Sequence, residues 1–260
     1  MKILVTGGSG FIGTNFIDFL QKKSCSILNI DIRDPKNTEH SRYFERVDIN
    51  NYESLLRAMM DFQPNYVVHL AARTDLNGAD LNSYLSNTRG VENILRCCKE
   101  LPNIKRLILA STKLIAPTDA HVSDLTSYSP DTIYGESKVL GEKIIESNKY
   151  FDDWIIVRPT SIWGPWSLAE HIPYGRFFQI IKKGLYLHPG VVDQPKYFGY
   201  VENSCFQIFK LLVESSDDVL KRKFYLADYE VYDIKSWADI ISAAFGRSSV
   251  RVLPKIFVYM

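Results

Sequence analysis

The stretch Thr6-Gly7-Gly8-Ser9-Gly10-Phe11-Ile12-Gly13 constrains the fold more than any other part of this 260-residue chain. It follows an apolar run, Lys2–Thr6, and opens a segment, Phe11–Lys22, with apolar residues at helical spacing (Phe11, Ile12, Phe16, Ile17, Leu20). A glycine turn between a strand and a helix, with an acidic residue about 20 positions on, is what a dinucleotide pyrophosphate requires. Gly7 permits the tight turn, Gly10 lets the backbone approach the phosphates, and Gly13 lets the helix pack on the strand. The unpaired N–H groups of the first helical turn, at Phe11 and Ile12, then face the anion. The acidic residue is Asp31, closing the next strand, Ser26–Ile30. A carboxylate there accepts hydrogen bonds from an adenosine ribose and repels a 2′-phosphate, which favours NAD over NADP. Arg33 stands close enough to offset part of that repulsion.

The rest of the first half keeps the same alternation. Strands are predicted at Tyr43–Val47, Tyr66–Leu70, Arg106–Ala110 and Trp154–Val157, and helices at Asn51–Phe62, Leu81–Lys99 and Asp131–Ser147. Near-continuous apolar strands separated by helices imply a parallel sheet covered on both faces, and right-handed crossovers make it doubly wound. The expected fold is therefore α/β, a Rossmann-type doubly wound parallel sheet over residues 1–160. Beyond Pro159 the texture turns loop-rich and aromatic, with Pro165, Pro173, Pro189 and Pro195 among Trp163, Trp166, Tyr174 and Tyr186. Residues 161–260 are read mostly as a small α/β substrate lobe, intertwined with the first domain so that a strand can return to the sheet. Its elements are a helix near Glu202–Val213, a strand near Phe224–Ala227 and a helix near Ile234–Phe245. The chain stops in an apolar stretch, Leu253 to Met260, with no terminating signal, which reads as a missing C-terminal piece.

Lys and Arg total 31 against 30 Asp and Glu. No net field draws the chain to nucleic acid or to an anionic membrane, so an anionic ligand must be held by local groups. The N-terminus lacks the apolar stretch of a signal peptide, and no run approaches the roughly 18 apolar residues of a membrane span. Cys25, Cys97, Cys98 and Cys205 show no Cys-x-x-Cys spacing and read as reduced thiols. The five histidines lack ligand spacing too, so the expectation is a cytoplasmic protein without a metal.

Tyr134-Gly135-Glu136-Ser137-Lys138 sets a tyrosine and a lysine four apart, on one face of the predicted helix after the fifth strand. A phenol ordinarily ionises near about 10. An ammonium and a cationic nicotinamide ring beside it favour the phenolate, which can then act as a base. Ser111-Thr112 closes that strand, and the Thr112 hydroxyl can hydrogen-bond a substrate oxygen that becomes a carbonyl.

With these motifs in place the sequence resembles the extended short-chain dehydrogenase/reductases, in their NAD-dependent epimerase/dehydratase branch acting on nucleotide sugars. The matching stretches, spread over nearly the whole chain, are Val5 to Gly13, Val47-Asp48-Ile49, Val67 to Ala72, Asn87 in Ser86-Asn87-Thr88-Arg89-Gly90, Tyr134 to Lys138, and Val157-Arg158-Pro159 with Gly164-Pro165. The resemblance implies that Asp48 and Ile49 flank the adenine, that Leu70, Ala71 and Ala72 pass the cofactor phosphates and ribose, and that Asn87 supports the site. It makes Tyr134 the acid/base, Lys138 the group that orients the nicotinamide ribose, and Thr112 the group that polarises the substrate hydroxyl, with Pro159 to Ser161 beside the nicotinamide. His69 reads as a strand-packing residue rather than a catalyst, and Arg158 equally as a structural cation or a site residue. A homodimer through the helices of Leu81–Lys99 and Asp131–Ser147 is expected by analogy.

The departures from the family pattern carry as much weight. Dehydratases of this branch have an acidic pair after the catalytic Ser/Thr, whereas here Lys113 and Leu114 stand in those places. Ile115-Ala116-Pro117 replaces Val-Tyr-Gly, and Ser161 replaces an asparagine beside the substrate. Lys196 replaces the arginine of an Arg-Asp-Phe motif, keeping a charge but losing bidentate phosphate contacts. Ser161 and Lys196 are the expected substrate-binding residues. The leading expectation is a nucleotide-sugar epimerase working through a transient keto intermediate. The alternatives are a sugar-nucleotide reductase or dehydrogenase, and a non-catalytic dinucleotide sensor, which would need none of Thr112, Tyr134 and Lys138.

Overall fold

A computed structural model describes residues 1–116, 125, 127–167, 174–190, 197–230 and 233–253, with the backbone alone at residue 174. Pro117, Pro173, Pro195, Lys196 and the closing segment after Leu253 lie outside the described residues.

Seven parallel strands form the main sheet: β1 (Lys2–Thr6), β2 (Ser26–Asp31), β3 (Phe44–Arg46), β4 (Tyr66–His69), β5 (Arg106–Ala110), β6 (Trp154–Pro159) and, from late in the chain, β10 (Lys223–Leu226). Their order is β10-β6-β5-β4-β1-β2-β3. The chain winds outward from β1 to β3, then returns to the other side of β1 as β4. That reversal is a topological switch point, and open α/β sheets bind ligands at the carboxyl ends of the strands flanking it.

Strand residues alternate between the two faces as the pleat demands. Leu4, Val67, Leu107, Leu109 and Ile156 join the core under α2 (Tyr52–Phe62), α3 (Arg89–Glu100) and α4 (Ile133–Ser147). Ile3, Val5, Val68, Ile108, Ile155 and Val157 join a second core under α1 (Phe11–Gln21) and α6 (Val201–Val213). Burial on both faces explains why these strands read as unbroken apolar runs.

Two short parallel strands, β7 (Ser161–Trp163) and β9 (Phe198–Tyr200), pair beside the sheet, and β8 (Leu187–His188) pairs with β11 (Arg251–Val252). Together with α5 (Tyr174–Lys182) and α7 (Ile234–Ala244) they form a smaller layer around Trp237, whose ring stacks on Phe198 at 4.3 Å and on Phe177 at 5.2 Å between centroids.

The single helix expected over Leu81–Lys99 is two elements. A 3-10 turn, Leu81–Asn87, ends at a break where Thr88 takes φ −123° and ψ −74°, and α3 begins at Arg89. The break is where the Asn87 side chain bonds the chain around Arg73 instead of its own helix.

Candidate active site

The glycine turn has the geometry its residues were chosen for. Gly7 sits at φ +74° and donates its N–H to the Ile30 carbonyl at 2.8 Å, and a Cβ there would lie 2.5 Å from the Ala71 nitrogen. A Cβ on Gly13 would lie 2.2 Å from the Gly7 carbonyl oxygen, so glycine is required for helix to meet turn. At Gly10 a Cβ would meet only the Gly7 oxygen, at 3.1 Å, leaving open space beside the turn among the described residues. Helix α1 starts at Phe11 with no side-chain cap and no acidic residue in its first turn. Its positive end is therefore free to hold an anion.

Asp31 ends β2 and is buried, with Oδ2 accepting from the Ser9 amide at 3.1 Å and Oδ1 from the Arg33 amide at 3.0 Å. Each oxygen retains acceptor capacity for a ribose hydroxyl. The Arg33 side chain is largely exposed, its Nε 3.9 Å from Asp31 Oδ1. Asp48 is exposed and caps its own turn through Asn50, whereas Ile49 is buried against Gly90 in the core. Leu70 and Ala71 donate their amides to the Thr6 carbonyl (3.0 Å) and hydroxyl (3.3 Å), and Ala72 follows half-buried. These contacts line the switch point with backbone.

His69 ends β4 fully buried, its Nδ1 2.7 Å from the Thr6 hydroxyl. Burial, reinforced by the charge of Lys138, pushes its pKa down to about 3. It is a neutral tie between β1 and β4, as a packing residue would be.

Tyr134 and Lys138 lie on the first two turns of α4, whose start is capped by Thr132 accepting from the Gly135 amide at 3.0 Å. Both are buried, 8% and 5% exposed. A Cβ on Gly135 would lie 2.2 Å from the Leu114 carbonyl oxygen, so α4 packs directly on the segment after β5. That close approach brings the Thr112 side chain into interaction with the Tyr134 phenol. Lys138 Nζ donates to the Ala110 carbonyl at 2.6 Å. Asn87, also buried, closes the constellation: its Nδ2 donates to the Arg73 carbonyl and to Ser137 Oγ, which donates in turn to the Tyr134 carbonyl.

Burial pushes the Tyr134 phenol up to about 12, with the contact from Thr112 pulling the other way. It pushes Lys138 down to about 8 against the opposing pull of Glu142. The protein alone therefore holds the phenol protonated, and the positive charge of a nicotinamide ring beside it would favour the phenolate.

Pro159 ends β6, and Ser161 opens β7 half-buried; Lys196 is outside the described residues. Beyond Ser161, Trp163, Pro165, Ser167, Phe178, Gln179 and Tyr200 line a cavity of about 410 Å³. The segment from Gly164 to Ser167 is held against α1 by Asn15 Nδ2 donating to the Pro165 carbonyl (2.8 Å) and by Trp166 Nε1 donating to Asp18 (3.1 Å).

Two residues near the pair, Tyr84 and Glu142, were not anticipated, and the second of them engages Arg158. Tyr84 is buried with its ring centroid 6.1 Å from that of Tyr134, and its hydroxyl donates to the Asp75 carbonyl. Arg158 is fully buried in a bidentate pair with Glu142. Glu142 stands one turn beyond Lys138, a spacing that could have been noticed in the sequence; nothing local marks Tyr84. Among the described residues no cluster of potential metal ligands occurs, all four cysteines are free, and no helix is long and apolar enough to cross a membrane.

Comparison with known proteins extends this geometry. GDP-6-deoxy-D-talose 4-dehydrogenase of Aggregatibacter actinomycetemcomitans is 28% identical over 240 residues, covering 90% of this chain and 78% of its own length. UDP-glucose 4-epimerase of Vibrio cholerae is 29% identical, covering 75% of this chain and 61% of its own length. The crystal structure of Bordetella bronchiseptica WbmG in complex with NAD superposes with a TM-score of 0.80 at 25% identity, over 98% of this chain and 81% of that one. The sequence profile of one family matches residues 3–218. The glycine turn, the switch point and the Tyr/Lys pair all lie within that span, and the chain belongs to the NAD dependent epimerase/dehydratase family.

Proposed function

We propose that the protein is a nucleotide-sugar epimerase acting through a transient keto intermediate. The family is NAD dependent and the cofactor is NAD. The residues present fit it: the open helix end at Phe11, Ile12 and Gly13 for the pyrophosphate, Asp31 for the adenosine ribose, and Lys138 and Asn87 on the nicotinamide side. When bound, NAD supplies a hydride acceptor that can also return the hydride, and a cationic ring.

The chain's own residues handle the proton. Thr112 hydrogen-bonds the reacting hydroxyl beside Tyr134, and the Tyr134 phenolate takes its proton as the carbonyl forms. Lys138, fixed on the Ala110 carbonyl, contributes positive charge that favours the phenolate. Once the keto sugar has turned over, the Tyr134 phenol returns the proton to the oxygen, and the sugar leaves with the opposite configuration. The proximity of Thr112, Tyr134 and Lys138 at the end of β5 is the observation that carries this reading.

A net dehydrogenase is the second reading, favoured by the talose dehydrogenase named above, which is similar over most of this chain. It uses the same three residues but exchanges cofactor at each turnover. Nucleotide sugars screened by NMR for change of configuration separate the two, together with the ultraviolet spectrum of the purified protein. Conversion without net reduction of NAD, with NAD(H) retained on purification, is expected. Tyr134→Phe should lower turnover at least about 10²-fold, the scale of a positioned acid/base, while NAD still binds. Turnover at the parent rate would refute the mechanism.

A further inference from the structure

The buried pair beneath Lys138 is larger than a single salt bridge. Arg158 donates from Nε to Glu142 Oε1 at 2.9 Å and from Nη2 to Oε2 at 2.7 Å. Tyr128 donates its hydroxyl to Glu142 Oε2 at 2.8 Å, and Lys223 donates to the Tyr128 oxygen at 2.8 Å while pairing with Glu146 at 2.5 Å. The rings of Tyr128 and Tyr225 flank the guanidinium at 5.7 and 5.4 Å. Both charged partners are fully shielded from solvent.

Burial of such a pair is weak evidence that stability is its role. Neutral or apolar residues of similar volume commonly serve as well, because the desolvation of two ions consumes most of their attraction. Its position suggests another use. Glu142 follows Lys138 by four residues, so both side chains lie on the face of α4 turned to the sheet.

The surroundings of Lys138 are otherwise unfavourable to an ammonium. The Ala110 carbonyl of β5 accepts its hydrogen bond. His69 of β4 faces it as a neutral ring, and Tyr134 of α4 is a protonated phenol in the protein alone. Arg158 of β6 is engaged by Glu142. Among the described residues, Glu142 supplies the negative charge that opposes the discharge of Lys138 by burial. Burial pushes the Glu142 carboxyl up, but the hydrogen bonds and charge of Arg158 more than offset this and hold it below the ordinary carboxylate range. The clamp thus guarantees a carboxylate, in one orientation, one turn from the lysine.

We propose that Glu142, clamped by Arg158, is a positioning residue of the active site that keeps the Lys138 ammonium protonated while Tyr134 alternates between phenol and phenolate. The proposal rests on the Tyr134/Lys138 reading above.

The test is the titration of Lys138 in full-length protein carrying 13C at the lysine Cε, followed by NMR and assigned with Lys138→Met. In the parent the midpoint is expected near about 8. In Glu142→Gln it should fall by about one unit, the lower end of the shift that a nearby opposite charge exerts. Glu142→Gln with Arg158→Met should also lower it, which separates loss of the carboxylate from gain of an uncompensated guanidinium. Glu142→Asp, keeping the charge, should restore the parent value. An unchanged midpoint in either Gln variant, with a cooperative melt, would overturn the proposal. So would failure of both to fold, since the pair would then be structural. Normal turnover by Tyr134→Phe with these shifts intact would sink the catalytic reading and leave the electrostatic one standing.

Discussion

Protonating His69 should weaken the fold, by an amount that follows from its burial. The ring is held neutral between β1 and β4, with a pKa pushed from the ordinary 6.5 down to about 3 by desolvation and by Lys138. Because the folded state resists the proton, the unfolded chain binds more protons between those two values. The contribution is therefore complete above about pH 6.5 and is lost as pH falls toward 3. The slope for one such group is about 1.4 kcal/mol per pH unit. Between about pH 7 and pH 4.5 only the part below 6.5 counts, so the expected loss is about 2.5 kcal/mol. Carboxylates also titrate there, so the measurement is a difference. Urea unfolding of the parent and of His69→Gln is followed across this range, and the parent should lose about 2.5 kcal/mol more than the variant. Equal losses, or a His69 ring that titrates near its ordinary value in the folded protein by NMR, would refute the reasoning.

Three further outcomes follow from the site. Calorimetry should find NAD bound more tightly than NADP, and Asp31→Ala should weaken NAD by about 10- to 100-fold, the worth of one or two hydrogen bonds to a carboxylate; tighter binding of NADP to the parent would reverse the role given to Asp31. Gly13→Ala should abolish NAD binding and lower stability by about 1–3 kcal/mol, because the new Cβ meets Gly7 backbone with no side chain to yield; binding and melting at parent levels would contradict the close approach. Mass spectrometry of the sugar after turnover in heavy-oxygen water should show no net loss of water, since Lys113 and Leu114 cannot supply the acid and base that elimination needs; a product lighter by one water at a catalytic rate would disprove this.

The parts of this architecture that depend on local chemistry were legible in the residues. Apolar runs such as Tyr66–His69 declared buried strands because both of their faces are covered. The glycine turn declared its conformation because Gly7 and Gly13 have no room for a Cβ. Tyr134 and Lys138 declared a shared face through helical spacing. What depends on distant partners was hidden. Arg158 looked equally like a strand-end cation or a ligand until Glu142, 16 residues away, closed on it. The break at Thr88 was invisible because Asn87 spends its side chain on Arg73, on another loop. The upward push on Tyr134 was missed for a related reason: adjacency of a lysine is readable from spacing, whereas desolvation needs the packed surroundings.

The late position of β10 in the chain also shapes how the protein can be made. The strand that covers the outer edge of β6 is Lys223–Leu226, and the helix that covers Ile155 and Val157 is Val201–Val213. A ribosome adding roughly 5–20 residues per second takes several seconds to travel from Pro159 to Leu226. Throughout that interval the outer edge of β6 is open, and until Val213 is added the apolar face beside α1 is only partly covered, a combination that invites pairing with other chains. Expressed alone, the first 160 residues should therefore aggregate unless a chaperone covers the flank that α6 and β10 otherwise complete.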